Sequence, residues 1–261
     1  MDWRAFFTQH RSTLESHYPG LNLQRFLREA EEIGGDGTAF LAGVPFAYQL
    51  GYAEFVDHKF TVTPDVLIPR PETEQLYELV DQAVKNHPAW RRLVDVGTGS
   101  GCLGLSLAHA HPMLSVTLAD ISPEALTVAK ENARKLGLHA VTFLLSDLLK
   151  DVTGLYDIIV TNPPYIPRSA QGVHAMTDRH EPHLALYVDD AQYEAFFTRL
   201  FDQSARRLTS DGMFFMEGHE DRLTECAQWA KAAKLTQVQV SNDLTGRPRF
   251  LTAQAPRAPL G

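Results

Sequence analysis

Leu93-Val94-Asp95-Val96-Gly97-Thr98-Gly99-Ser100-Gly101 is the stretch on which the fold turns. Four residues of strand type run into a glycine-rich turn, and residues 102–110, with Leu103, Leu105, Leu107 and Ala108, read as the apolar helix that follows. Glycines at such a junction let the backbone turn tightly and bring the free N–H groups of a helix N-terminus close to a ligand. The spacing is Gly-x-Gly-x-Gly rather than the dinucleotide pattern Gly-x-Gly-x-x-Gly, so the loop alone does not name its ligand. Working outward, the strand–helix unit recurs. Strands are predicted over 115–119, 141–145, 156–161 and 212–217, and helices over 123–136 (entered through Ser122), 192–208 and 220–233. Residues 237–240 and 249–253 resemble a terminal antiparallel hairpin. This alternation predicts an α/β fold: a doubly wound, mainly parallel seven-stranded sheet, with ligands at the carboxyl ends of its strands where the strand order reverses.

Ahead of this part the pattern differs. Residues 2–33 read as two helices broken at Tyr18-Pro19-Gly20, the second with Leu21, Leu23, Phe26, Leu27, Ala30 and Ile33 at helical spacing. Aromatic and polar residues then alternate, which predicts a β-hairpin around Asp57-His58. Pro71 suits the first turn of a helix reaching about Asn86, with Glu72 and Glu74 at the positive end of its dipole. The expected organisation is a short helical domain over 1–42, a hairpin linker over 43–70 and the α/β domain over 71–261, ending in a loose tail from Ala255.

Composition narrows the class. At 261 residues and 44% hydrophobic content the chain can bury one substantial core and a small accessory piece. No apolar run approaches the ~20 residues that cross a bilayer, and no secretory signal is visible, so a cytoplasmic protein without membrane association is expected. Cys102 and Cys226 are too few for a disulfide framework or a zinc site and read as packing residues. The paired histidines, His109 with His111 and His180 with His183, lack a carboxylate at metal spacing, so no metal is expected. The net charge of −8 offers no footprint for a nucleic-acid backbone.

Chemistry gathers at the predicted strand ends. Asp120 closes the second strand, the position from which a carboxylate takes both hydroxyls of a ribose, and Asp147 follows the third, where such folds face an adenine. Either acid alone reads equally well as a helix N-cap. Asn162-Pro163-Pro164-Tyr165 follows the fourth strand. Two prolines stiffen the corner, an amide oxygen and backbone carbonyls can accept N–H bonds from a planar nitrogen group, and Tyr165 offers a face to pack on it. Glycine loop, two acids and this corner in order imply a nucleoside-type cofactor beside a planar nitrogen substrate.

The order resembles the class I, Rossmann-like S-adenosyl-L-methionine-dependent methyltransferases that act on amide or amino nitrogen. The Asn-Pro-Pro-Tyr corner is shared by adenine exocyclic-amino methyltransferases of DNA or RNA and by protein glutamine methyltransferases. Gly43-Val44-Pro45-Phe46-Ala47-Tyr48-Gln49-Leu50-Gly51 and Val66-Leu67-Ile68-Pro69-Arg70-Pro71-Glu72-Thr73-Glu74 favour the second group. With Glu181-Pro182, Ala185-Leu186 and Asp243-Leu244-Thr245-Gly246-Arg247-Pro248-Arg249-Phe250, they resemble the bacterial release-factor glutamine methyltransferases over about residues 43 to 254. The Pro-Arg-Pro-Glu-Thr-Glu string also argues against the related ribosomal-protein glutamine methyltransferases.

The resemblance implies methyl transfer from S-adenosyl-L-methionine, leaving S-adenosyl-L-homocysteine, to the glutamine of the Gly-Gly-Gln motif of a peptide-chain release factor, by a monomer. It implies cofactor contacts from Gly97, Thr98, Gly99, Ser100, Gly101, Asp120, Ile121, Asp147, Leu148 and Asn162. Substrate contacts fall to Asn162, Pro163, Pro164, Tyr165 and Glu181, with Asn162, Pro163 and Tyr165 catalytic. The chain departs from the family pattern in a short segment before Gly43, in Tyr187-Val188-Asp189-Asp190 where a glycine turn is usual, and in His219-Glu220-Asp221.

Overall fold

The structure is a computed structural model and describes residues 1–256. Helices α1 (Trp3–His17) and α2 (Leu23–Ile33) begin at Asp2 and Asn22, whose side chains cap the first backbone N–H groups. They close around Phe7, Leu14, Phe26 and Ala30. Two further short helices, α3 (Thr38–Leu41) and α4 (Phe46–Leu50), complete this cluster with Phe40 and Phe46. Helix α4 lies past the expected boundary at 42, with Phe46 in the cluster around Phe40 while Ala47 and Tyr48 pack against Val62 and Val66.

The hairpin is β1 (Tyr52–Phe55) and β2 (His58–Thr61), turning at Val56 and Asp57. It is more than a linker. Phe55 and Phe60 are fully buried in the main core, and Asn132 exchanges two hydrogen bonds with the backbone of Thr61. Helix α5 (Pro71–Asn86) starts at Pro71 as expected.

The main sheet comprises β3 (Arg92–Val96), β4 (Ser115–Asp120), β5 (Thr142–Leu145), β6 (Tyr156–Thr161), β9 (Leu208–Glu217), β10 (Thr236–Asn242) and β11 (Pro248–Gln254). A small parallel pair, β7 (Ile166–Pro167) and β8 (Tyr187–Val188), lies outside it. The main order is β10-β11-β9-β6-β3-β4-β5, parallel throughout except that β11 runs antiparallel to β9 and β10. The connecting helices are α6 (Cys102–Ala110), α7 (Pro123–Lys135), α8 (Ala175–His180), α9 (His183–Leu186), α10 (Tyr193–Arg207) and α11 (Leu223–Ala232). Helices α8 and α9 fall in a segment that gave no periodic signal, because each is too short to show one.

Side chains alternate across the sheet with period two. Val94, Val96 and Ile159 pack with Phe197, Phe201 and Leu223 under α10 and α11, while Leu93, Ile158 and Val160 pack with Leu76, Leu103 and Leu105 under α5 and α6. Helix α6 lies so close to the sheet that a Cβ on Gly104 would stand 2.3 Å from Leu118 Cδ2. The predicted tail begins later than Ala255, which is buried and bonded to Gly212 and Thr236; the rest, 257–261, lies outside the described residues. From β3 the chain moves outward to β4 and β5 and then returns to β6 on the other side, so the order reverses between β3 and β6. A crevice opens there at the carboxyl ends of the strands.

Candidate active site

That crevice is a cleft of about 470 Å³, within the ordinary range for small-molecule sites. Its floor is a row of strand ends. Gly97 to Ser100 follow β3, Asp120 and Ile121 close β4, Ser146, Asp147 and Leu148 follow β5, and Asn162, Pro163 and Pro164 follow β6; all line the cleft. Val66, Arg70 and Thr73 line it from the segment entering α5, and Pro182, Leu184 and Ala185 from α9 and the residue before it.

The glycine loop is held by backbone geometry. Gly99 has φ +54°, and a Cβ there would touch nothing within 4 Å, so the left-handed conformation rather than space requires glycine. Asp120, 8% exposed, accepts the N–H of Gly99 on Oδ2 (2.8 Å) and the N–H of Ser122 on Oδ1 (2.9 Å). Burial raises its pKa, and those N–H groups oppose the shift. Each carboxylate oxygen retains a further acceptor position. Ile121, 51% exposed despite its size, sits beside it in the cleft. A buried acid with spare acceptors next to an uncovered apolar side chain suits a ribose diol and the flat base attached to it.

Asp147 lines the cleft with its carboxylate gripped by both terminal nitrogens of Arg199, at 2.7 and 3.1 Å. No local pattern marks this partner, which comes from α10, 52 residues on.

The Asn162 corner is fixed from three sides. Thr161 donates its hydroxyl to the carbonyl of Val96 (2.7 Å), tying the ends of β6 and β3 together. Tyr193 on α10 donates to the carbonyl of Tyr165 (2.9 Å). Asn162 donates Nδ2–H to Thr73 Oγ1 (2.9 Å), and Thr73 in turn donates to Oε2 of Glu217 (2.8 Å). Glu217 closes β9, one strand over from Asn162, and is fully buried.

Two expected substrate contacts stand apart from the lining of the cleft. Tyr165 does not line the cleft: its ring packs against the core and its hydroxyl donates to Oε1 of Glu217 at 3.0 Å. Burial, with Glu217 beside it, pushes the phenol pKa well above the usual range. Glu181 is also turned away. Its oxygens accept from the N–H of Ile68 (3.1 Å) and from Arg70 Nη2 (2.6 Å), with its side chain 2% exposed. It is a tether between the segment before α5 and α9, because two donors already occupy it and the cleft does not reach it.

Thr73 and Glu217 were missed as site residues. A signal existed for Glu217: an acid closing the apolar run Met213-Phe214-Phe215-Met216, as Asp120 closes β4. Among the described residues, no group of three or more His, Cys, Asp or Glu side chains is placed to hold a metal ion. Both cysteines are free and buried, and no helix among the described residues is long and apolar enough to cross a membrane.

Comparison with known proteins agrees with this geometry. The family model described as methyltransferase small domain matches residues 74–184. Among solved structures, a ribosomal protein L11 methylase from Lactobacillus delbrueckii aligns with TM-score 0.54 and 24% identity over 75% of this chain and 84% of that one. A Thermus thermophilus 16S rRNA methyltransferase solved with AdoMet and guanosine aligns with TM-score 0.56 and 19% identity, over 78% and 49% respectively. These likenesses establish the class I methyltransferase fold. Sequence relatives are nearer. The release factor glutamine methyltransferase of Bacteroides thetaiotaomicron is 39% identical over 80% of this chain and 75% of its own length. That of Moorella thermoacetica is 41% identical over 81% and 75%. That of Deinococcus radiodurans is 36% identical over 92% and 88%. With the fold, the cleft and these relatives in agreement, the chain belongs to the release factor glutamine methyltransferase family.

Proposed function

We propose that this protein transfers the methyl group of S-adenosyl-L-methionine to the side-chain amide nitrogen of the glutamine in the Gly-Gly-Gln motif of a peptide-chain release factor. The observation that carries the reading is one cleft shared by Asp120, with its spare acceptor positions, and Asn162-Pro163, with a stiffened amide and carbonyl. Asp120 takes the ribose hydroxyls, the Gly97–Gly101 loop approaches the cofactor closely, and Ile121, Asp147 and Leu148 flank the base. When bound, S-adenosyl-L-methionine supplies an electrophilic methyl on a sulfonium.

An amide nitrogen is a poor nucleophile because its lone pair is delocalised into the carbonyl. Asn162 Oδ1 and the carbonyl of Pro163 each accept one N–H of the substrate amide, which orients the nitrogen and raises its electron density. Pro163 and Pro164 keep water from it, and alignment supplies most of the acceleration. The N–C bond forms as the C–S bond breaks, S-adenosyl-L-homocysteine leaves, and the nitrogen then loses its extra proton to solvent. No side chain is assigned as base. The protein acts as a monomer in the cytoplasm without stable nucleic-acid contact, a reading supported by its acidic balance and its protein substrate.

Incubation with labelled cofactor and a purified release factor, wild type or with the Gly-Gly-Gln glutamine replaced, tests the reading. Label should enter the wild type alone. Label that survives the replacement, or that enters DNA or RNA instead, overturns it.

A further inference from the structure

Asn162 has an amide whose two ends look alike in shape but not in chemistry, and only one end can accept a substrate N–H. Hydrogen-bond partners decide which end faces the cleft. Glu217 accepts the Tyr165 hydroxyl on Oε1 (3.0 Å) and the Thr73 hydroxyl on Oε2 (2.8 Å). Both hydroxyls donate to Glu217, which in its ionised form has no hydrogen to give back. Thr73 has a single hydroxyl hydrogen, now committed, and its oxygen is left only as an acceptor. The group at 2.9 Å from it must then be the NH2 of Asn162, and Oδ1 is forced to the other side, toward the cleft.

We infer that Glu217, acting through Thr73, is the positioning residue that polarises this chain of hydrogen bonds and holds Asn162 with its amide oxygen facing the substrate nitrogen. The inference rests on the proposed methyl transfer to a glutamine amide and supplies what that reading leaves open: why Asn162 presents an acceptor rather than a donor. It also gives Tyr165 a task. By occupying Oε1, Tyr165 leaves Oε2 as the oxygen that meets Thr73. The four side chains are joined across 52, 89 and 144 residues of chain, so the arrangement exists only in the folded protein. Burial raises the pKa of Glu217, and the hydroxyls of Thr73 and Tyr165, together with Arg249, which Asp243 Oδ2 holds at 3.4 Å, oppose that shift.

Thr73→Val keeps the volume and removes the hydroxyl. Glu217→Gln keeps the shape but adds an NH2 that can donate to Thr73, freeing the Thr73 hydrogen to turn the Asn162 amide round. Both should lower kcat for release-factor methylation by about a hundredfold, the scale of a misplaced reacting group. Cofactor affinity, read by calorimetric titration with S-adenosyl-L-methionine, should stay within about threefold of wild type, and Thr73→Ser should restore most of kcat. A merely structural network would lower the melting temperature and cofactor affinity together, and Ser would not separate them. Wild-type kcat in Glu217→Gln, or in Thr73→Val, overturns the inference, as does a Thr73→Ser protein as slow as Thr73→Val. A wild-type protein that binds cofactor but never labels a release factor would instead defeat the substrate reading.

Discussion

The two halves of the cleft are built by different means. Around β3 and β4 the site is mostly backbone: three glycines in left-handed conformations and N–H groups that bind Asp120, all within 26 residues of sequence from Gly97 to Ser122. Around β6 the site is side chains from distant segments, with Asn162 joined to Thr73 across 89 residues and Thr73 to Glu217 across 144. The first kind suits a cofactor of constant shape, because rigid backbone costs little to reorganise. The second suits an atom-by-atom choice of donor or acceptor, which backbone alone does not offer.

The sharpest way to break this division is Asn162→Ala. It should lower methyl transfer by about 10²- to 10³-fold, as loss of one polar group facing the reacting centre does, while calorimetry finds cofactor affinity nearly intact. A matching loss of affinity would merge the two halves. Arg70→Ala tests the frame of the side-chain half. It leaves Glu181 buried without its cation, which should cost about 3 kcal/mol of unfolding free energy in a denaturant titration. Full stability would mean that the tether is dispensable.

On the cofactor half, Asp120→Ala should weaken S-adenosyl-L-methionine binding by about ten- to a hundredfold, the worth of a hydrogen bond to a charged group; unchanged affinity removes Asp120 from the ribose. Gly99→Ala meets no atom, so only the left-handed backbone opposes it, at about 1–2 kcal/mol, and affinity should fall by roughly tenfold.

The smallest expected effect concerns Asp95, which lies beneath the glycine loop and accepts from Thr98 Oγ1 (2.6 Å) and the N–H of Gly104 (3.1 Å). Burial pushes its pKa up to about 6. Folding thus favours the protonated form, so this group adds stability as the pH falls from about 7 toward 5 and loses it as the pH rises through about 6. Melting temperatures of wild type and Asp95→Asn should show the difference, variant minus wild type, falling over that range. A constant difference would show that Asp95 stays charged in the folded protein down to about pH 5, so that burial does not raise its pKa.

How much was legible follows the same division. The glycine loop, Asp120 and the Asn162 corner are local patterns at strand ends, and a short stretch carries each of them. The family resemblance places Tyr165 and Glu181 on the substrate, whereas here Tyr165 donates to Glu217, and Glu181 accepts from Ile68 and Arg70. The helix over Phe46–Leu50 falls within the expected linker because five residues are too few to show a helical period, and Phe46 joins the cluster around Phe40 only in the folded chain.

The sequence by itself determined the alternating elements, the strand ends that bear glycines and acids, and the stiff Asn-Pro-Pro-Tyr corner, because hydrophobic period, turn chemistry and proline geometry are local. Tertiary structure alone decided that Glu217 and Thr73 stand behind Asn162, that Arg199 clasps Asp147, and that Tyr165 faces inward. Those facts depend on which distant segments the sheet order brings side by side, and on the rule that buried polar groups must find partners.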